Sequence, residues 1–189
     1  MMRLVFYACF VAAAIAGFGG PAAAKTWAID YAHSHIGFTG MQGGSVFQGS
    51  FKNFKADVDF DPDHPEDGKI AATIDIAGVT TGEGQRDGML PQADWFNTAK
   101  FPQAQFVSTK IRETGTGSYE AQGTLKIKGR SHPVTLPFTL AKEGDHWHAR
   151  GKTMLIRTDF HIGEGAWADN ETVKLAVDVT VDLVARPQS

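Results

Sequence analysis

The feature that most constrains this fold is an alternation of apolar and polar residues at every second position, repeated along most of the chain. In residues 173–183 the apolar positions are Val173, Leu175, Val177, Val179, Val181 and Leu183. The same period of two recurs in residues 70–76, 119–127 and 134–140. Because side chains alternate between the two faces of a β-strand, each run predicts a strand with one buried and one solvated face, which is typical of antiparallel sheets.

The connections between these runs are mostly short and rich in turn residues, as in residues 128–131. The apolar parity changes from odd to even near Asn53, which predicts a β-bulge. Roughly eight or nine strands at this spacing indicate a barrel or a sandwich, and long curved strands favour the barrel because closure removes exposed edges. We therefore predict an all-β fold, an antiparallel eight-stranded barrel forming a single domain over residues 25–189.

The first 24 residues have the pattern of a secretory signal peptide. Arg3 precedes an apolar run over residues 4–18, and small residues at 22–24 provide a cleavage site, although an uncleaved anchor is the alternative. Cys9 is the single cysteine, so the mature chain has no disulfide. We expect a periplasmic protein. Its net charge of −3 becomes about −4 without Arg3, which argues against nucleic acid as a partner.

Residues 83–97 interrupt the alternation and predict a short helical insertion, with one turn near 83–89 and a second near 94–97. Leu90, Trp95 and Phe96 would cover one end of the barrel. Arg86 and Asp87 would pin this segment, as Arg157 and Asp159 would pin another loop. Two interpretations of these charges stay open: ion pairs that fix loops, or an arginine that meets the polar head of a ligand at the barrel mouth.

The residue types associated with catalysis or metal binding are poorly represented. His33-x-His35 and His146-x-His148 have a spacing that metal ligands use, but the parity of their strands turns them outward. No Gly-x-Ser-x-Gly motif occurs in the chain. The paired Asp57 and Asp59 share the polar face of one strand. We predict no metal site, no catalytic residue and no enzymatic activity.

Several inward positions are small, which leaves two interpretations of the interior. The small residues are Gly49, Ala56, Ala72, Ala121, Gly123, Ala149 and Gly151. They either leave a cavity for one ligand or let large neighbours interdigitate. Parity and size predict the following walls for such a cavity: Phe38, Phe47, Phe51, Phe54, Phe106, Phe138 and Met154.

A set of short motifs, in this order and spacing, resembles the YceI-like, polyisoprenoid-binding family of exported bacterial proteins. The motifs are Trp27-x-Ile29-Asp30-x-x-His33-Ser34-x-Ile36-x-Phe38, Gly49-Ser50-Phe51-x-x-Phe54, Arg86-Asp87-x-x-Leu90, Asp94-Trp95-Phe96, Phe101-Pro102, Phe106-x-Ser108-Thr109, Gly123-Thr124-Leu125-x-Ile127-x-Gly129 and Arg157-x-Asp159-Phe160. The resemblance runs from about Trp27 to Leu183. Two departures are Trp95, where relatives usually have phenylalanine, and His161, where they usually have glycine.

The resemblance implies a lipocalin-like barrel with an interior channel for a long isoprenoid chain, as in polyprenyl phosphates or quinones. The implied function is non-enzymatic binding or transport of such a lipid in the periplasm. The expected ligand contacts are the predicted wall residues, the apolar Leu90, Trp95 and Phe96 of the helical insertion, and the two arginines Arg86 and Arg157. The alternatives are a module that interacts with a membrane b-type cytochrome or serves a stress response, and an enzyme acting on isoprenoids. A homodimer is also possible in this family.

Overall fold

The alternating runs form strands in the computed structural model, which describes residues 25–188. The strands are β1 (Trp27–Ile29), β2 (His35–Gln42), β3 (Ser45–Phe51), β4 (Phe54–Asp59), β5 (Lys69–Asp75), β6 (Val79–Thr80), β7 (Gln103–Gly115), β8 (Ser118–Ile127), β9 (Arg130–Glu143), β10 (His146–Ile156) and β11 (Ala176–Pro187). One α-helix, α1 (Gly84–Met89), and four single 3-10 turns complete the described residues, the turns being Pro65–Asp67, Ile76–Gly78, Arg157–Phe160 and Gly165–Trp167.

The predicted all-β antiparallel barrel is confirmed, but the number of strands is wrong. Residues 25–188 form eleven strands instead of eight. Two of them, β1 and β6, contain three and two residues, which is too short to produce an alternating pattern in the sequence. The signal-peptide prediction concerns residues that lie outside the described part of the chain. Within residues 25–188, no helix has the length and hydrophobicity that crossing a bilayer requires.

All eleven strands belong to one sheet with the order β4-β5-β7-β8-β9-β10-β11-β2-β3-β6, and β1 adds to β11 beside this path. The long strand β11 has two partners along one edge, since Asp178–Asp182 pair with β2 and the segment near Arg186 pairs with β1. An isolated bridge between Thr26 and Asp59 then brings the β1 side against β4, the first strand of the order. The sheet therefore curls until its two sides meet.

The predicted bulge near Asn53 is wrong, because the chain leaves one strand and begins another there. Phe51 ends β3 and Phe54 begins β4, and these two strands lie at opposite ends of the sheet order. Asn53 accepts a backbone hydrogen bond from Asp75 at 2.9 Å, which fixes the corner. The parity change thus marks a chain that crosses from one side of the curled sheet to the other. True register shifts occur in β7, between Ser108 and Lys110 and again further on.

The inward side chains form two buried clusters, one at each end of the barrel. The first centres on Phe160 and Ile76, which are almost fully buried. The second centres on Ile111 and Ala121, where the rings of Phe60 and Tyr119 meet edge to face at 5.1 Å. The two clusters surround interior space that side chains do not fill, and the candidate functional site lies there.

Candidate ligand channel

The barrel encloses an apolar channel made of two chambers. The walls of the upper chamber include Phe38, Phe47, Phe51, Leu90, Trp95 and Phe96. The walls of the lower chamber include Trp27, Phe54, Phe106, Leu136, Phe138 and Trp147. The centre of a water molecule can occupy about 150 Å³ of the upper chamber and 180 Å³ of the lower one. Each value is at least ten times the roughly 10–15 Å³ that a single water needs.

Both chambers share a group of aliphatic side chains, which makes them parts of one channel. The shared residues are Ile36, Ile74, Leu125, Leu155 and Val179. We call this group the neck. None of these residues was among the predicted ligand contacts, since that prediction favoured large, mostly aromatic side chains. Their inward parity on β2, β5, β8, β10 and β11 was nevertheless visible in the alternation.

Both interpretations of the small inward residues hold at once, because glycines give the aromatic rings a place against the wall. The ring of Phe47 stands where a Cβ atom of Gly40 would be, with ring atoms at 2.6 and 2.9 Å from that position. The ring of Phe106 covers Gly123 in the same way, at 2.7 Å. Only glycine allows so close an approach. The rings therefore lie along the sheet and leave the centre of the barrel open.

The cover segment, which we define as residues 83–97, closes the end of the upper chamber. Its first helical turn is confirmed as α1, whose first N–H groups, at Gln85 and Arg86, donate to the Glu83 carboxylate at 2.9 Å. The second predicted helix is wrong, since residues 93–96 form a hydrogen-bonded turn instead. In that turn Trp95 N–H donates to the Gln92 carbonyl at 3.0 Å.

Asp87 pins the cover segment to the barrel, as the sequence predicted. Its carboxylate accepts three hydrogen bonds, each at 2.6 Å, from the Thr80 hydroxyl, the Thr81 hydroxyl and the Thr81 N–H. Partial burial would raise the pKa of Asp87, but the hydrogen bonds from Thr80 and Thr81 outweigh it and lower this pKa. The pin is therefore a charged carboxylate held by neutral donors, and it is not an ion pair with Arg86.

The closing loop, which we define as residues 157–175, holds the other side of the cover segment. The Asp94 carbonyl oxygen accepts hydrogen bonds from the N–H groups of Gly163 and Glu164, both at 2.8 Å. The rings of Trp95 and Trp167 also pack against each other, with centroids 5.8 Å apart. The two segments therefore form a single cap over the upper chamber.

Arg157 organises the closing loop and is 4% exposed. Its guanidinium donates to six backbone carbonyls, those of Ile162, Gly163, Trp167, Asp169, Val173 and Lys174. Burial lowers the pKa of Arg157, while the nearby Asp169 opposes that shift. All five N–H groups are used, so Arg157 lines the chamber but has no donor left for a ligand. Arg157 therefore fixes a loop and does not meet a ligand head, and it does so through backbone carbonyls instead of the predicted ion pair.

Arg86 differs from Arg157 because it keeps unused donors. Its Nε donates to Gln42 Oε1 at 3.1 Å and its Nη1 donates to Thr81 Oγ1 at 3.2 Å. Its guanidinium carbon lies 4.2 Å from the ring centre of Phe47. Three of its five N–H groups have no protein acceptor, and no carboxylate pairs with it, among residues 25–188. Lys174 adds a third positive charge to this chamber, whose lining contains no acidic residue.

Eleven of the twelve predicted contact residues line the channel, and Met154 is the exception. Phe38, Phe47, Phe51, Arg86, Leu90, Trp95, Phe96 and Arg157 line the upper chamber, and Phe54, Phe106 and Phe138 line the lower one. Met154 is 59% exposed on the outer face of β10, so its prediction is wrong. Thr153 and Leu155, its neighbours in sequence, point inward. The register of the strand decided its direction, and its apolar character did not.

The residues singled out for their unusual positions have local explanations. His161, which stands where relatives usually have glycine, adopts a left-handed backbone with φ of 56°. Its carbonyl accepts a hydrogen bond from Lys128 Nζ at 2.7 Å, and its ring bonds Glu164 at 2.9 Å. On the outer wall, His148 contacts the carboxylates of Asp182 and Glu143. None of these histidines lines either chamber.

Comparison with known proteins gives one consistent result. The model of the YceI-like domain matches residues 27–185. A UPF0312 protein of Ectopseudomonas mendocina is 33% identical over 176 residues, which cover 85% of this chain and 89% of the relative. Protein YceI of Escherichia coli is 33% identical over 159 residues, which cover 80% and 78%.

Solved structures show the same fold. The crystal structure of BcnA from Burkholderia cenocepacia is 34% identical with a TM-score of 0.80, covering 83% of this chain and 99% of that one. A domain from Saccharophagus degradans described as polyisoprenoid binding is 13% identical with a TM-score of 0.66, covering 88% and 100%. At that identity the second likeness concerns the fold alone.

Proposed function

Because this chain belongs to the YceI-like domain family, we propose that it is a binding protein that holds one long isoprenoid lipid in its channel. The observation that carries the proposal is the lower chamber, whose lining contains no charged residue and a single hydroxyl, that of Thr153. Such a surface offers apolar burial and almost no hydrogen bonding. It therefore suits a long hydrocarbon chain better than a polar metabolite.

The charges of the upper chamber set the orientation of the lipid. The hydrocarbon tail occupies the lower chamber and passes the neck, and the polar head lies in the upper chamber near Arg86. The unused N–H groups of Arg86 match the oxygens of a phosphate or the carbonyls of a quinone. Gln42, which already orients Arg86, lies at the same place. The head group is thus of the polyprenyl phosphate or quinone type.

The expected affinity is sufficient for a carrier. A chain of about 40 carbon atoms, at about −0.3 kcal/mol per heavy atom, gains roughly −12 kcal/mol, which corresponds to nanomolar binding. This gain requires that the tail fill both chambers, since contact with one chamber buries about half of the chain. The neck residues therefore contribute to selection of long chains over short ones.

The proposal is for binding without catalysis. The polar side chains that line the two chambers are Gln42, Arg86, Arg157, Lys174 and Thr153. This set lacks a carboxylate, an imidazole or a thiol that could act as base or nucleophile. The periplasm is the proposed location, on the signal-peptide pattern of residues 1–24. A membrane b-type cytochrome as partner and a homodimer stay predictions.

The test is lipid analysis of the purified protein followed by binding measurements. Organic extraction and mass spectrometry are expected to find an isoprenoid in stoichiometric amount, and delipidated protein is expected to bind a polyprenol or quinone again. Ala149→Phe fills the lower chamber and should abolish binding. Ala141→Phe, exposed on the partner strand of the same hairpin, is the matched control and should bind normally. A delipidated protein that takes up no isoprenoid would contradict the proposal.

A further inference from the structure

The cap over the upper chamber is built as a fixed wall. Asp87 holds one side of it to the barrel, and the Asp94 carbonyl joins it to the closing loop. Arg157 then ties that loop together through six carbonyls. Opening this end would break all these bonds together. A ligand that exchanges must therefore use a weaker part of the barrel.

The weaker part is the seam, which we define as the line where β1 faces β4. Strand β4 is paired along one edge only, to β5. One end of the seam is held by the Thr26–Asp59 bridge and by the Phe60 N–H, which donates to the Lys25 carbonyl at 3.0 Å. At the same end, Trp27 Nε1 donates to the Phe60 carbonyl at 2.8 Å, and Lys25 pairs with Asp61 at 3.3 Å. Even there, Asp59 Oδ1 is buried without a hydrogen-bond partner among the described residues. The closed seam thus leaves a carboxylate oxygen unsatisfied, which is unfavourable.

From the bridge toward Ala56, Tyr31 provides the one side-chain hydrogen bond that spans the seam among residues 25–188. The Ala56 N–H donates to Tyr31 Oη at 3.2 Å. The ring of Tyr31 packs edge-on against Phe54, with centroids 5.4 Å apart, yet the residue is 48% exposed. A hydrogen bond at such an exposed site exchanges readily with water. Tyr31 therefore acts as a latch on an otherwise unpaired strand edge.

A cleft on the outside of the seam leads toward the lower chamber. This outer cleft has a volume of about 660 Å³, and its apolar border includes Tyr31, Ala71 and the half-exposed Val107. Three charged residues, Asp57, Asp59 and Lys69, also line it. It shares five wall residues with the lower chamber: Trp27, Ile29, Ala56, Val58 and Ile70. These five residues therefore border both spaces. An apolar chain lying in the cleft would meet the chamber as soon as the seam widened.

We propose that the seam is a lateral portal, through which the isoprenoid tail passes between the outer cleft and the lower chamber when the Tyr31–Ala56 bond breaks. This inference rests on the proposed function. It assigns to Tyr31 a role in the rate of exchange and none in the bound state, because Tyr31 lines neither chamber. The cap stays closed during exchange, so the polar head, which lies beyond the neck in the bound state, enters first and leaves last along the same path.

The experiment measures exchange rates by stopped-flow fluorescence with a dansyl-labelled polyprenol of about 40 carbon atoms. Tyr31→Phe keeps the ring and removes the latch. It should accelerate both uptake and release by about three- to tenfold, the equivalent of one lost hydrogen bond, with Kd unchanged. Ala71→Trp fills the outer cleft from the outer face of β5 and should slow both rates with the same Kd.

Two variants serve as controls for these rates. Tyr119→Phe removes the hydroxyl of a buried tyrosine whose ring packs on Phe60 but which forms no hydrogen bond across the seam among residues 25–188, and Ala141→Trp adds a large ring to the outer face of β9. Both should exchange like the wild type. If Tyr31→Phe and Ala71→Trp also exchange at the wild-type rate, the portal is overturned, whereas normal equilibrium binding would leave the proposed function standing. If the wild type binds no probe at equilibrium, the proposed function itself fails.

Discussion

The ring of Phe38 occupies the space that a side chain at Gly49 would need. The two residues are directly paired across β2 and β3, and three atoms of the ring lie within 3.0 Å of the position of a Cβ atom at Gly49. The glycine thus allows the ring to lie against the sheet. The volume of the upper chamber depends on this pair, because a displaced ring has only the chamber to move into.

Gly49→Ala should therefore narrow the upper chamber. The added methyl group collides with Phe38, and overpacking of this kind lowers the free energy of unfolding by about 1–3 kcal/mol. Lipid affinity should fall as well, because the ring moves into the space of the ligand. Gly88→Ala is the matched control, since a Cβ atom there meets no neighbour. Urea unfolding and equilibrium lipid binding check both variants, and unchanged binding in Gly49→Ala would contradict the role of this pair.

Arg86→Gln should weaken binding of a lipid with a charged head and spare a neutral one. A hydrogen bond to a charged group contributes about 1.5–3 kcal/mol, so the affinity for a polyprenyl phosphate should fall at least tenfold. The affinity for the polyprenol of equal length should change little. Titration of both lipids checks this, with exposed Arg130→Gln as control. Equal losses for the two lipids would show that Arg86 does not contact the head group.

Trp95 carries a buried Nε1–H that has no hydrogen-bond partner among the described residues. Trp95→Phe removes this unsatisfied donor but also some packing against Trp167. The two effects are each about 1–3 kcal/mol and opposite in sign, so stability should stay within about 2 kcal/mol of the wild type.

Trp95→Ala removes the ring itself. It should accelerate lipid release strongly and lower Tm only a little. Thermal unfolding and lipid release, measured on both Trp95 variants, check the pair of predictions. A large loss of stability in Trp95→Phe would mean that Nε1 has a partner in solution.

Arg157→Lys should destabilise the protein although the charge is kept. An ammonium group has three donors and no planar fork, so it cannot reach the six carbonyls that the guanidinium joins. Several buried carbonyls would lose their partners, at about 1–3 kcal/mol each. Chemical denaturation should show a loss of at least about 3 kcal/mol, against almost none for Arg130→Lys. A stable Arg157→Lys variant would contradict the role of Arg157 in the closing loop.

The carboxylate of Asp87 predicts a dependence of stability on pH. Its pKa in the folded protein is below the ordinary value of 3.8, so its stabilising contribution is complete above that value and disappears as the pH falls through the folded pKa. Asp87→Asn should be less stable than the wild type at neutral pH, and the difference should shrink in acid. Unfolding between pH 2 and 7 measures it. Asp57→Asn, on the exposed face of β4, should show no such convergence.

Much of this architecture was predictable, because it depends on local pattern. Alternation identified the strands and their inward faces, and it correctly placed Phe38 and Phe138 on the channel wall. The cover segment was also visible as an interruption. Met154 is the exception: it shares its parity with the outward His146 and His148, so its inclusion among the walls reflected its apolar side chain and not its position in β10. Register decides the direction of a strand residue, so the register should have been followed.

The pairing of distant strands could not be predicted. Nothing local indicates that β3 and β4 stand at opposite ends of the sheet, or that the bridge from Thr26 meets Asp59. Arg157 is a second example, since its six carbonyl acceptors are spread from 5 to 17 residues further along the chain. In the sequence, Arg157 close to Asp159 suggests an ion pair. Only the folded loop shows that backbone carbonyls, and not a carboxylate, accept the hydrogen bonds of this arginine.

The sequence by itself determined the class of structure and the apolar nature of its interior, because a period of two assigns each side chain to a face wherever one face is buried. Tertiary structure alone decided that the interior is a channel with two chambers, a neck and a seam. These features depend on how the sheet curls and where its edges meet. They arise from contacts between residues far apart in the chain, such as Thr26 with Asp59 and Tyr31 with Ala56, which no local pattern contains.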